Sequence, residues 1–176
     1  MGISRTPVRE ALQALASENL VAPQGRRGFQ VAPLQVEMIE ELYEVRRVLE
    51  GLAAGLAARR ATPDDIATLQ QPLSAAPALL EGNDRHGLIN MDREFHRALY
   101  RIAGNRILIQ TMDRHWPHIT RLMCVHLSMP GFPLQSFGEH RALVAAIERN
   151  DEETAVRLAS DHVENAKRDL TRLVRR

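Results

Sequence analysis

From Val36 to Val174 apolar residues recur at helical spacing, and helix-stopping residues cut that run into separate pieces. Val36, Ile39, Leu42, Tyr43, Arg46, Leu49, Leu52, Ala53, Leu56 and Ala57 trace one face of a long helix ending near Arg60. Thr62-Pro63-Asp64-Asp65 restarts the chain, with Thr62 as N-cap and Pro63 at the first helical position. Pro72 and Pro77 break the next stretch, which reads as one interrupted helix or two short ones running to about Glu81. Asp84 to Ala103 is a further helix stopped by Gly104-Asn105, and Arg106 to about Leu127 follows with a kink expected at Pro117. Met129 to Pro133 reads as a loop. Helices from Ser136 to Glu148 and from Asp151 to about Val174 meet at Arg149-Asn150. The pattern predicts a mainly all-α chain in which residues 34–176 form an antiparallel bundle of about six helices. Ligand sites in such a bundle are built from inward side chains of several helices. Aromatic residues are only 4% of the chain, so Leu, Val, Ile and Ala must fill the core.

Pro33 marks a change of pattern. Before it come a short apolar helical stretch and then VAPQGRRGFQV, which reads as two short strands around a Gly/Arg turn. Residues 1–33 carry Arg5, Arg9, Arg26 and Arg27 against Glu10 and Glu18, although the whole chain has a net charge of only +1. All of the cationic residues but Lys167 are arginine, which suits bidentate recognition of phosphate or carboxylate and is equally the product of a GC-rich genome. A single cysteine, Cys124, excludes an internal disulfide and an all-Cys zinc site. No apolar stretch approaches the roughly 20 residues that span a bilayer. The opening MGISRTPVRE lacks the apolar core of a signal peptide, so the expected compartment is the cytoplasm.

Ser4-Arg5-Thr6-Pro7-Val8-Arg9 packs chemistry into one helix start. Ser4 can cap the helix and Pro7 is tolerated in its first turn. Val8, Leu12 and Leu15 share the face expected to be buried, while Arg5, Thr6 and Arg9 project from the exposed N-terminal end. A recognition helix uses that arrangement, because its first side chains reach base edges in the major groove. Spacing alone leaves an amphipathic surface helix with solvated arginines equally open. The run GISRTPVREALQALASENLVAPQGRRGFQV resembles the second half of the winged helix-turn-helix of GntR-family regulators. The resemblance implies DNA-contacting positions at Ser4, Arg5, Thr6, Arg9, Gly25 and Arg26. It also implies an incomplete winged domain over residues 1–33, since in that family a first helix and most of a second precede the position of Met1.

Seven histidines are present: His86, His96, His115, His118, His126, His140 and His162. Asp92 and His96, four apart on one helix, occupy the same face. With His140 and His162 from two later helices they would make an N3O set for a first-row divalent metal. Taken alone, an Asp-x-x-x-His pair is more often an ordinary surface or core pair. His115 and His118 form a rival pair that Pro117 disfavours, and with His86 and His126 they read as surface or core residues.

YEVRRVLEGLAAGLAARRAT, MDREFHRALYRIAGN, EHRALVAAIERND and ASDHVENAK resemble the FCD effector domain of the FadR branch of GntR regulators. That resemblance covers Val36 to Val174 and places the family's metal ligands on Asp92, His96, His140 and His162. It implies a divalent metal cofactor, with zinc the first candidate and nickel or manganese compatible with the same ligands. It also implies a small carboxylate effector beside the metal and an inward-facing arginine at Arg46, with Arg47 as the alternative. Asn165, one turn after His162, could line the same cavity. The function expected is a ligand-responsive, DNA-binding transcriptional regulator, most often a repressor, acting as a homodimer on a palindromic operator. Two other readings stay open: a freestanding metal-dependent effector-binding module without DNA binding, and a helical metalloenzyme. Against the enzyme stand the missing paired E-x-x-H motifs, the missing His-Asp dipeptide and the lack of a general base near the proposed ligands.

Overall fold

The computed structural model describes residues 5–25, 28–127, 129 and 132–175, with only the backbone of Arg5 and Phe132. The chain divides into two compact units, Met1–Gln35 and Val36–Arg176. In the first, α1 (Arg5–Ser17) is followed by the antiparallel strands β1 (Val21–Pro23) and β2 (Phe29–Val31), paired Val21 to Val31 and Pro23 to Phe29. Asn19 takes a left-handed φ of 58° and ends α1, while the Leu20 amide donates back to the Leu15 carbonyl. Gly25 (φ 56°) and Gly28 (φ 98°) flank the hairpin turn, where a side chain would be strained. Thr6 and Arg9 are exposed on α1; Ser4 and Arg26 lie outside the described residues. The face expected to be buried is only partly covered. Val8 is 46% and Leu15 38% exposed, because a hairpin of two three-residue strands offers little apolar surface.

The second unit contains seven helices among the described residues: α2 (Val36–Arg60), α3 (Pro63–Leu73), α4 (Ala76–Glu81), α5 (Arg85–Ala103), α6 (Arg106–His126), α7 (Phe132–Glu148) and α8 (Glu152–Val174). A separate short helix begins at Ala76 with Pro77 in its first turn, so the stretch after Thr62 is two helices rather than one. Thr62 and Asp65 form a reciprocal capping box: the Thr62 hydroxyl accepts from the Asp65 amide at 3.2 Å, and Asp65 accepts from the Thr62 amide at 2.9 Å. Asp84, Asn105 and Asp151 cap α5, α6 and α8 by accepting from first-turn amides, and Gly104 (φ 64°) closes α5.

One boundary differs from expectation. Helix α7 starts at Phe132 rather than Ser136, because Pro133 sits in the first turn, where its missing N–H has no helical partner to lose. Helix α6 runs through Pro117 without a break in its span.

The core is lined by Tyr43, Phe95, Leu99, Met112, Ile119, Leu122, Ile147 and Leu170, all essentially inaccessible. Helix α2 lies along α8 and also meets α5, α6 and α7. Gly51 and Gly55 set that closeness: a Cβ would come within 3.0 Å of Ser160 Oγ at the first and 2.9 Å of Val156 Cγ2 at the second. No helix among the described residues is long and apolar enough to cross a membrane.

Gly55→Leu should therefore force α2 and α8 apart and cost about 1–3 kcal/mol of stability. A urea midpoint equal to wild type would show that the helix pair absorbs the side chain.

Candidate metal centre

Three helices bring four donor groups into one polar pocket inside an apolar bundle. Asp92 and His96 lie one turn apart on α5, His140 comes from α7 and His162 from α8. All four are buried, and each offers a ligand atom within 4.8 Å of the others. Asp92 Oδ1 is 3.7 Å from His96 Nε2 and 3.6 Å from His140 Nε2. The His140 and His162 rings are 4.7 Å apart at their centroids, and His96 is 5.1 Å from His140. Metal–ligand bonds of about 2.0–2.2 Å allow a donor shell roughly 4 Å across, so a small closure of these side chains suffices.

The polar atoms themselves argue for a cation. Asp92 Oδ2 and both ring nitrogens of His140 are buried without a hydrogen-bond partner. Such groups are costly to bury unless something binds them. Burial, and then the neighbouring His162, His96 and Arg46, hold the His140 pKa well below 6.5. A neutral imidazole keeps a lone pair for a metal.

Carboxylates orient two of the rings. His162 Nδ1 lies 2.7 Å from Glu139 Oε2, and Glu139 Oε1 accepts from Asn165 at 2.9 Å and from Gln135 at 3.0 Å. His96 Nδ1 is 3.1 Å from Glu50 Oε1, which also accepts from Tyr100 Oη at 2.5 Å and Arg46 Nε at 3.2 Å. Burial opposes ionisation of Glu50, but His96, Arg46 and the Tyr100 hydroxyl outweigh it and hold the carboxyl far below its ordinary range. Carboxylate–imidazole pairs of this kind fix ring orientation and raise ligand basicity in metal sites.

Arg46, 3% exposed, faces this pocket, whereas Arg47 is exposed. Asn165 reaches the site through Glu139. His86 is exposed, while His115 and His118 are half-buried on α6 and stand apart from the four-residue cluster. His126 is buried, 3.7 Å from Asp169 Oδ2. Sequence reasoning missed Glu50, Tyr100 and Glu139. Glu50 lies one turn after Arg46, and Glu139 precedes His140, but neither spacing names the imidazole it serves.

The FCD domain family matches residues 41–165, and the bacterial regulatory proteins of the gntR family match residues 1–31. This chain belongs to the GntR family, in its FCD-domain branch. The HTH-type transcriptional regulator McbR of Escherichia coli is 34% identical over 116 residues, which cover 66% of this chain and 52% of McbR. The chain thus matches about half the length of that relative. The McbR/YncC structure superposes with a TM-score of 0.81 at 27% identity, covering 97% of this chain and 82% of that one. The HTH-type transcriptional repressor RspR of Escherichia coli is 23% identical over 162 residues, covering 92% of this chain and 71% of RspR. The Zn2+-bound FCD domain of TM0439 shares the fold, with a TM-score of 0.63 at 20% identity over 80% of this chain and 96% of that one. These GntR relatives are transcriptional regulators, not enzymes.

The buried histidines give the FCD unit a pH signature. His126 has its pKa lowered from 6.5 to about 4, chiefly by burial, and that of His140 is lowered as well. Between those values the unfolded chain takes up protons that the native chain refuses, so stability falls as pH drops below 6.5 and gains nothing above it. Melting temperatures at pH 7.5, 6.0 and 5.0 should decline in that order; a flat profile would contradict the assignment.

Proposed function

We propose that this protein is a ligand-responsive transcriptional regulator whose FCD unit holds a divalent metal on Asp92, His96, His140 and His162. The reading is carried by one observation: four buried donor groups from three helices share a space of 4.8 Å, with atoms of Asp92 and His140 lacking any other partner. Zinc is the first candidate on ligand type, supported by the Zn2+-bound TM0439 domain, and nickel or manganese suit the same donors. A bound divalent cation with open positions supplies a Lewis-acidic anchor for a carboxylate. This chain's own contribution is to orient the rings through Glu50 and Glu139 and to present Arg46 as a donor for a second anionic group. The ligand class is a small organic acid.

The first unit supplies the DNA contacts, with Thr6 and Arg9 on the exposed face of α1 and Gly25 in the hairpin turn; Arg5, Ser4 and Arg26 complete the set read from sequence. The regulator acts as a homodimer on a palindromic operator, since two-fold proteins match two-fold sites. Repression is the expected sign, as in RspR.

Metal analysis of the purified protein should give about one equivalent per chain, and His162→Ala should lose it together with thermal stability. Citrate should then raise the melting temperature of the metal-loaded protein and leave the chelator-stripped protein unchanged. Equal occupancy in His162→Ala, or equal stabilisation of both forms by citrate, would refute the metal anchor.

Arg9→Ala tests the DNA assignment. A base-reading arginine costs about 1–3 kcal/mol of specific affinity when removed, whereas a phosphate contact weakens all sequences alike. Anisotropy on the promoter and on a scrambled duplex should show the first pattern.

A further inference from the structure

One lone pair in this pocket has two claimants. Glu50 accepts hydrogen bonds from Tyr100 Oη and Arg46 Nε, and its oxygens lie 3.1 and 3.2 Å from His96 Nδ1. A carboxylate in that setting only accepts, so Nδ1 of His96 carries the ring proton. Arg46 Nη2 lies 3.3 Å from the other ring nitrogen, Nε2. A guanidinium has no acceptor, so Nε2 must offer its lone pair to Arg46. The two contacts together fix the tautomer of His96 by elimination. Yet Nε2 is also the nitrogen that faces Asp92 Oδ1, at 3.7 Å, and so the one available to the metal cluster. A single ring lone pair serves one strong partner at a time.

We propose that Arg46 and the metal ion exchange at His96 Nε2, so that cation binding displaces the guanidinium and turns its Nη2 toward the anionic ligand. The exchange rests on the metal reading given above and adds a role for Arg46 that precedes any effector. The fork shape of the guanidinium makes it mechanically simple. Nε stays on Glu50 at 3.2 Å while only Nη2 changes partner. Arg46 also keeps its place over the Tyr43 ring, 5.4 Å from the centroid, which limits where the freed donor can turn. The order of events follows: the metal enters first, and the anion finds its second donor only afterwards.

Removing the competitor gives a result opposite in sign to removing a support. Arg46→Met keeps an unbranched apolar stem and removes the guanidinium donor. In a competition titration with a chromophoric chelator, it should bind Zn2+ about five- to tenfold more tightly than wild type, the size of one hydrogen bond. In 15N-histidine spectra of the chelator-stripped proteins, His96 Nε2 should move from a hydrogen-bonded imine nitrogen in wild type to an unbonded one in Arg46→Met, a shift that loss of charge alone does not produce. Equal or weaker zinc affinity in a folded Arg46→Met protein, or an unmoved Nε2 signal, overturns the exchange. If that variant does not fold, the wild-type protein decides: its Arg46 guanidinium signals must move with one equivalent of Zn2+, and static signals overturn the exchange. Zinc bound by wild type without tighter binding in the variant sinks the exchange and leaves the metal site standing. No zinc on either protein sinks both.

Discussion

The pocket depends on a fully buried carboxylate whose charge is met from three directions. Glu50 is 1% exposed and accepts hydrogen bonds from the guanidinium of Arg46 and the hydroxyl of Tyr100, with the imidazole of His96 at its other side. An isolated charge at that depth would be prohibitive, and breaking a buried pair by removing one partner is typically worth several kcal/mol. Because its partners come from α2 and α5, Glu50 ties the orientation of a ligand ring to the packing of the helix that carries it. Glu139 does the same for His162 at lower cost, being only partly buried. His140 has no such partner and is held instead by stacking on Phe95, at 4.3 Å between centroids.

Much of this was legible in the chain. The helix ends were written in capping residues such as Thr62, Asp84, Gly104 and Asn105, whose side chains or backbone act on their own neighbours. The four donors could be named because resemblance to a family supplied their pattern; spacing alone gave only the Asp92–His96 pair. The choice of Arg46 over Arg47 was open until packing placed one inside and the other outside. Glu50 and Glu139 were not legible, because a carboxylate that serves an imidazole 46 or 23 residues away leaves no local periodicity. The start of α7 was misplaced for a different reason: proline reads as a breaker, yet in a first turn it breaks nothing.

The N-terminal unit obeys the same local rules with a different energetic outcome. Its helix stop at Asn19 and its glycine-flanked hairpin are well specified, while its apolar side chains stay partly wet. Turn chemistry needs only neighbouring residues, whereas covering Val8 and Leu15 needs surface that two three-residue strands do not possess. Local order and burial are separable, and this unit has more of the first.

The glycine contact between α2 and α8 bears on how the site communicates. On α2, Glu50 directly precedes Gly51 and Arg46 lies one turn before Glu50, and on α8 His162 lies two residues after Ser160, the residue that meets Gly51. A residue without a side chain has no rotamer with which to absorb a push. At Gly51 and Gly55 the backbone of α2 therefore meets Ser160 and Val156 of α8 directly, and sliding of packed helices is the motion that such a contact permits. This close seam joins the two longest helices of the unit, and it passes beside the pocket.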